Sequence, residues 1–395
     1  MIDILAISTA SVTAINRNIY IELVSRGWKV EMVIPETYPL TAAKTIPAQP
    51  ARVDDPVIHF LKLKGSNPRT FYFPGLKTLI DTIQPKVILI ESDPVSYMAV
   101  HAGRLAVARG VFLWSLSCEN LSFDVIDTLK RRGVRSLPTS LVKKCLYWFA
   151  KNTINTVFTI NNDGTLLFQR KGYSHVEKIP LGFDPSVFYP NNESRERIQK
   201  QLNIRYPVIA YFGRLVEEKG VHLLVEALGK IKHLGWHFML DKFSYESNPY
   251  HQRIQGLIDT YDLSARIIYI EADHYQVAAY MNASDVVVVP SVSTAKWKEQ
   301  YGRVVPEAMA CGNLVITSSA GALPELVEEC GIVIEEANVD QLAQALENYV
   351  VAPFEYKEVR SKAIKRATHQ LSIMKQADCY SARLQALLPE TIHLK

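Results

Sequence analysis

The chain contains no Cys-x-x-Cys pair, and its five cysteines (Cys118, Cys145, Cys311, Cys330 and Cys379) are scattered through 395 residues. An odd, dispersed set argues against a disulfide framework and suits reduced thiols, as in a cytoplasmic protein. No run of about 18 apolar residues occurs, so no segment is predicted to span a bilayer. The opening MIDILAISTA lacks a basic leader and its apolar stretch is broken by Asp3, so it reads as a first strand rather than a signal peptide. No Gly-x-Gly-x-x-Gly follows that strand, which disfavours a dinucleotide dehydrogenase. The net charge of +4 is small for this length and gives no reason to expect a nucleic-acid partner. His101, His222, His233 and His251 lack metal-ligand spacing.

What is present is the composition of a globular enzyme, 48% hydrophobic and 21% charged, at a length that suggests two or three domains. Short β-branched runs alternate with helical patterns throughout. Strands are expected at 2–8, 29–35, 86–91, 111–118, 156–160 and 176–180, and again at 208–213, 237–240, 266–270, 286–290, 314–317 and 332–334. Runs such as KVILI and VFLWSL are apolar without alternation, which points to parallel strands covered on both faces. The polar stretch FDPSVFYPNNESRERIQKQLN interrupts this rhythm. The expected organisation is α/β: a Rossmann-like domain over 1–183, a linker over 184–203, a second Rossmann-like domain over 204–370, and a helical tail over 371–395. Open α/β sheets bind ligands beyond the carboxyl ends of their strands, so two such domains facing each other suggest a central cleft.

Two motifs sit just after strands. In VIAYFGRLVEEKG, Arg214 follows the strand at once and Lys219 stands where a helix opens; an Arg fork and a Lys point charge at that place suit a diphosphate. The alternative is a surface turn with ordinary solvated charges. In KEQYGRVVPEAMACG, Pro306 marks a first helical turn, because its missing N–H has no helical partner there anyway. The helix is therefore expected to begin near Arg303, with the amides of Gly302, Arg303, Val304 and Val305 open to a ligand. Glu307 is placed to accept two hydroxyls, as from a ribose, and Glu299 to meet another polar part of the same ligand. Read blandly, the two acids are a helix-dipole partner and a solvated loop residue.

GRLVEEKG followed by EQYGRVVPEAMACGNLVITSSAGALPELV resembles the family 4 nucleotide-sugar-dependent glycosyltransferases, whose E-x7-E signature is matched by Glu299 and Glu307. The likeness is strong over 208–349 and thinner over 2–182. It implies the GT-B fold, with a C-terminal helix returning to the first domain, and an enzyme that moves a sugar from a nucleoside-diphosphate donor to a hydroxyl acceptor (glycan, lipid-linked or small molecule) with retained anomeric configuration. In that reading Arg214 and Lys219 hold the diphosphate, Glu307 the ribose, and Glu299 lies by the donor sugar. Glu271 and His274, in IIYIEADHYQV, are expected near the base. No Asp-x-Asp pair occurs, so neither a metal nor a cofactor is expected. A sugar-nucleotide epimerase and a non-catalytic nucleotide or saccharide binder remain the alternatives.

The first domain departs from the family pattern. Where a Gly-Gly loop is usual, STASVTA stands, so Ser11 and Thr13 are the acceptor-side candidates. Where a histidine is usual, SLSCENLSF places Glu119 and Asn120, and Glu119 becomes a candidate proton acceptor if its pKa is raised. Between Lys130 and Lys151 the chain has seven Lys or Arg and no acid. If helical, Leu141, Cys145, Trp148 and Phe149 share a face with Lys143 and Lys144 off it. Either that stripe packs into the core, the commoner arrangement, or the stretch is an acceptor-side surface that touches anionic lipid at the inner face of the cytoplasmic membrane or guides an acidic glycan.

Overall fold

A computed structural model describes residues 2–39, 45–241, 249–273 and 276–387. The chain divides into two compact units, the first made of Met1–Gly182 together with the C-terminal segment from Ile373, the second of Phe183–Ser372.

The first unit is built on seven strands: β1 (Ile4–Ile7), β2 (Val30–Pro35), β3 (Val57–Leu61), β4 (Val87–Ile90), β5 (Phe112–Ser117), β6 (Thr156–Thr159) and β7 (Val176–Lys178). They pair in parallel in the order β3-β2-β1-β4-β5-β6-β7. In β1 and β4 every residue is buried, which is why they read as unbroken apolar runs. β3 was not expected from sequence. It is an edge strand with Val57 and Phe60 exposed, and its apolar residues, VIHFL, are interrupted by His59, so neither alternation nor an unbroken apolar run marks it. The helices used below are α1 (Asn18–Ser25), α2 (Val125–Arg132) and α3 (Leu137–Lys151).

The second unit has six parallel strands: β8 (Val208–Tyr211), β9 (His237–Asp241), β10 (Ile267–Ile270), β11 (Val286–Val289), β12 (Leu314–Ser318) and β13 (Ile332–Ile334). Their order is β10-β9-β8-β11-β12-β13, so the strand order reverses between β8 and β11. That reversal is the topological switch point at which such sheets bind ligands. Helices α4 (Val221–Lys230) and α5 (Val304–Ala310) follow β8 and β11.

The segment 184–203 differs from the linker expected of it. It contains the helix Asn192–Gln201, capped by the Asn191 side chain and lying within the second unit. Arg195 of that helix pairs with Asp285 at 2.7 Å and donates to the carbonyls of Asn282 and Ser284. Ile198 is its one buried side chain, too little apolar signal to show in the sequence. The C-terminal helix α6 (Ile373–Leu387) packs in the first unit: Arg26 pairs with Asp378, Trp28 Nε1–H donates to Ser381 Oγ at 2.9 Å, and Tyr380 stacks on Trp114.

Candidate active site

The loops after β8 and β11 are tied to each other. The Val292 N–H donates to the Glu218 carbonyl at 2.9 Å. Gly220 has φ +68, and a Cβ there would lie 2.0 Å from the Pro290 carbonyl oxygen, so only glycine lets the turn after β8 press against the end of β11. Buried Tyr211 closes the first turn by donating its hydroxyl to the Arg214 carbonyl at 2.8 Å. A 3-10 turn, Glu217–Lys219, then carries Lys219 toward the β11 loop before α4 begins at Val221.

This packing joins two residues 80 positions apart. Lys219 Nζ donates to Glu299 Oε2 at 2.5 Å, and the buried Ser291 hydroxyl donates to the same oxygen at 3.0 Å. Glu299 is buried, and Lys219 also lies 5.0 Å from the centre of the Trp297 ring. The Glu299 backbone is clamped from below: Ala322 N–H donates to its carbonyl, and a Cβ on Gly321 would stand 2.1 Å from that oxygen. The first glutamate of the pair is therefore neither solvated nor on a free loop, and it shares the charge of Lys219. An ammonium has three donors, so Lys219 can hold Glu299 and still offer hydrogen bonds. Arg214 is exposed, and among the described residues its guanidinium has no hydrogen-bond or ion-pair partner. Ser291 and Trp297 were missed from sequence, since nothing local distinguishes them from loop residues.

α5 starts at Val304, one residue after the expected start, with Gly302 at φ +85 and Pro306 in its first turn. One expectation there needs correction: the Val305 N–H is not open, because it donates to the Gly302 carbonyl at 2.9 Å. Arg303 is exposed at the helix start. Glu307 is held against the protein interior, and burial pushes its pKa up to about 7, opposed by Arg303. Its carboxyl has no hydrogen-bond partner among the described residues. A half-buried acid without donors can gain two hydroxyl donors from a ligand at little competing cost. Glu271 follows β10, exposed, two strands from β8. His274 lies outside the described residues.

The first unit presents a different set. Ser11 is buried; its hydroxyl donates to Ser8 Oγ at 2.8 Å and its carbonyl accepts from Arg17, so it serves the loop rather than an opening. Thr13 is half-buried and donates its N–H to Ala10. Glu119 and Asn120 are both buried at the end of β5. Glu119 accepts from Arg69 at 2.9 Å and from the Leu121 N–H at 3.3 Å. Nearby Asp93 has its pKa raised by burial and then by the charge of Glu119, while Ser117 Oγ and the Cys118 N–H donate to it. Asp93 sits in ESDPV after β4, a stretch without motif character. Among the described residues no group of three His, Cys, Asp or Glu could hold a metal ion.

Residues 193–370 match the family model described as "Glycosyl transferases group 1". The match falls within the second unit. A D-inositol 3-phosphate glycosyltransferase of Mycobacterium bovis is 27% identical over 181 residues, 44% of this chain and 36% of that protein, so the alignment spans about a third of the curated relative. Among solved structures, the sucrose-phosphate synthase of Thermosynechococcus elongatus has a TM-score of 0.73 at 20% identity, covering 99% of this chain and 100% of the other. Anabaena Alr3699/HepE, in complex with UDP and glucose, has a TM-score of 0.73 at 17% identity, covering 98% and 100%. The fold is thus the α/β GT-B fold with two Rossmann-like parallel sheets.

Proposed function

We propose that the protein is a glycosyltransferase that moves a sugar, a hexose by analogy, from a nucleoside-diphosphate donor to a hydroxyl acceptor, retaining anomeric configuration. One observation carries the reading: the loops that meet at the switch point, after β8 and β11, carry Arg214 and Glu307, neither of whose side chains has a hydrogen-bond partner among the described residues, and Lys219 paired to buried Glu299. The family match over 193–370 supports group 1 glycosyl transfer, and the complex of the structurally similar Anabaena Alr3699/HepE with UDP-glucose supports a nucleotide-sugar donor.

In this reading Arg214 and Lys219 receive the diphosphate, and Glu307 receives the ribose hydroxyls. As the glycosidic bond loosens, negative charge gathers on the departing diphosphate, where the two cations stabilise it. Glu299 keeps Lys219 in place and stands by the donor sugar. The cations take the part a divalent ion plays elsewhere, so turnover needs no added metal. The first unit supplies the acceptor side, through Glu119, Asn120 and Asp93. Acceptor chemistry (glycan, lipid-linked or small molecule) is read out by assay.

Arg214→Ala is the cleanest test, since the side chain is exposed and its loss leaves no buried charge. Removing one such stabiliser typically costs about 10²–10³ in rate. The expected result is that loss, on a panel of UDP-, GDP- and ADP-sugars, with an unchanged melting temperature. Wild-type turnover in the variant would remove the assigned role. Consumption of donor without any acceptor would point to an epimerase instead.

A further inference from the structure

The basic stretch of the first unit is inside out. α3 buries Ser140, Lys143 and Ala150 and rests Leu146 and Tyr147 on the core. Leu137, Leu141, Val142, Cys145, Trp148 and Phe149 face outward, Trp148 with 68% of its surface exposed. At about 100° per residue these six fall within an arc of roughly 140°, one continuous stripe along the helix. Ile126 of α2 and Val134, 79% exposed, extend the apolar surface beyond α3. Lys130, Arg132, Arg135 and Lys144 are all exposed in the same two-helix segment, and no acid occurs between Asp127 and Asp163. The core stripe expected as the commoner arrangement is therefore contradicted. Burial lowers the pKa of Lys143, which sits near Arg69 and Glu119, so this lysine faces inward and not the surface.

We infer that the outer face of α2 and α3 lies in the interface of an anionic lipid bilayer, with Leu141, Val142, Trp148 and Phe149 among the acyl boundary and the flanking cations on the headgroups. A lone large apolar side chain on a surface needs no explanation, but a continuous stripe with two neighbouring aromatics does. Trp at the headgroup level and Lys or Arg beside it are what such an interface selects. A second copy of the chain is the less suitable occupant. A two-fold contact would lay this cation-rich face on itself, bringing like charges together. Neutral protein surfaces would offer Lys130, Arg135 and Lys144 no counter-charge, whereas an anionic membrane attracts each of them. The inference is independent of the donor-site reading.

The test is cosedimentation of the full chain with vesicles of phosphatidylcholine alone and of roughly 3:1 phosphatidylcholine:phosphatidylglycerol. Wild type is expected to pellet with the anionic vesicles, and Leu141→Glu/Trp148→Glu to bind them at least about tenfold more weakly. Lys130→Gln/Arg135→Gln/Lys144→Gln is expected to weaken binding and flatten its salt dependence; Lys143 is left unchanged because it is buried. Quenching of wild-type fluorescence by brominated lipid, lost in Trp148→Phe, gives a second readout that does not depend on how the glutamate variant folds. Equal pelleting of wild type and the Leu141→Glu/Trp148→Glu variant would overturn the inference, as would wild type that ignores anionic vesicles. Self-association of wild type that the same variant abolishes, without vesicle binding, would assign the face to a second copy. Nucleotide-sugar affinity is expected to be the same in every variant, so failure here leaves the donor-site proposal standing.

Discussion

The two units share a strand order around their first strand, β3-β2-β1-β4 in one and β10-β9-β8-β11 in the other, yet the ends of those strands carry opposite chemistry. In the second unit the loops after β8 and β11 carry Arg214, Lys219 and Arg303, with Lys219 on Glu299 and Arg303 near Glu307, and glycines with positive φ let the loops interlock. In the first unit the corresponding ends of β1 and β4 carry Glu91 and Asp93 among serines, with Glu119 at the end of the next strand, β5. Glu91 there accepts from Ser8 and from the Tyr20 hydroxyl. The lesson is that the scaffold specifies where a ligand sits, while loop residues specify its charge. A cationic end suits a diphosphate, and an acidic, hydroxyl-lined end suits the hydroxyls of an acceptor.

The two ion pairs at these ends sharpen the contrast. Lys219–Glu299 is mostly buried, whereas in Arg69–Glu119 the arginine side chain is 38% exposed. Lys219→Ala strands a buried carboxylate and is expected to cost about 3–5 kcal/mol of stability, along with most turnover. Lys219→Ala/Glu299→Gln should recover much of the melting temperature and none of the rate. If the double variant regains turnover, the lysine serves the fold alone.

Glu307 gives an intermediate effect that depends on pH. Its folded pKa of about 7 lies above the ordinary 4.5, so its contribution to stability is full below about pH 4.5 and is lost as pH rises through 7. Glu307→Gln should therefore gain stability relative to wild type as pH rises from 5 to 8 in thermal melts, because the unfolded carboxyl is already ionised there while the folded one gives up its proton only near pH 7. Accepting ribose hydroxyls requires the ionised form, so wild-type donor affinity should strengthen about tenfold from pH 6 to pH 8. A flat profile in wild type, measured by calorimetry, would separate Glu307 from the ligand.

The smallest effect is expected at the first-unit pair. Arg69→Ala leaves Glu119, a carboxylate as buried as Glu299, with the Leu121 N–H, but removes a partner that is itself partly exposed, and should cost less than Lys219→Ala, about 1–3 kcal/mol in denaturant titrations. A loss as large as that of Lys219→Ala would erase the distinction between the two ends.

Much of this was legible in the sequence, and the exceptions have physical causes. Every expected strand formed, because parallel strands buried on both faces announce themselves as apolar runs. β3 did not, because an exposed edge shows no such run. The placing of Arg214 and Lys219 after β8, and of Glu299 and Glu307 about the start of α5, was legible because glycine and proline mark turns in the chain itself. The Lys219–Glu299 pair was not, because it joins residues 80 positions apart through tertiary packing. Nor was the outward stripe of α3: helical spacing reveals that Leu141, Cys145, Trp148 and Phe149 share a face, but not which way that face points. Likewise Glu119 attracted notice by position, while burial shifts its neighbour Asp93.

The central claim is most directly tested by diffraction from crystals soaked with UDP or another nucleoside diphosphate. The phosphorus atoms should lie within hydrogen-bonding reach of Arg214 and Lys219, with the ribose hydroxyls on Glu307. Density for the diphosphate elsewhere in the second unit, with those side chains untouched, would contradict it.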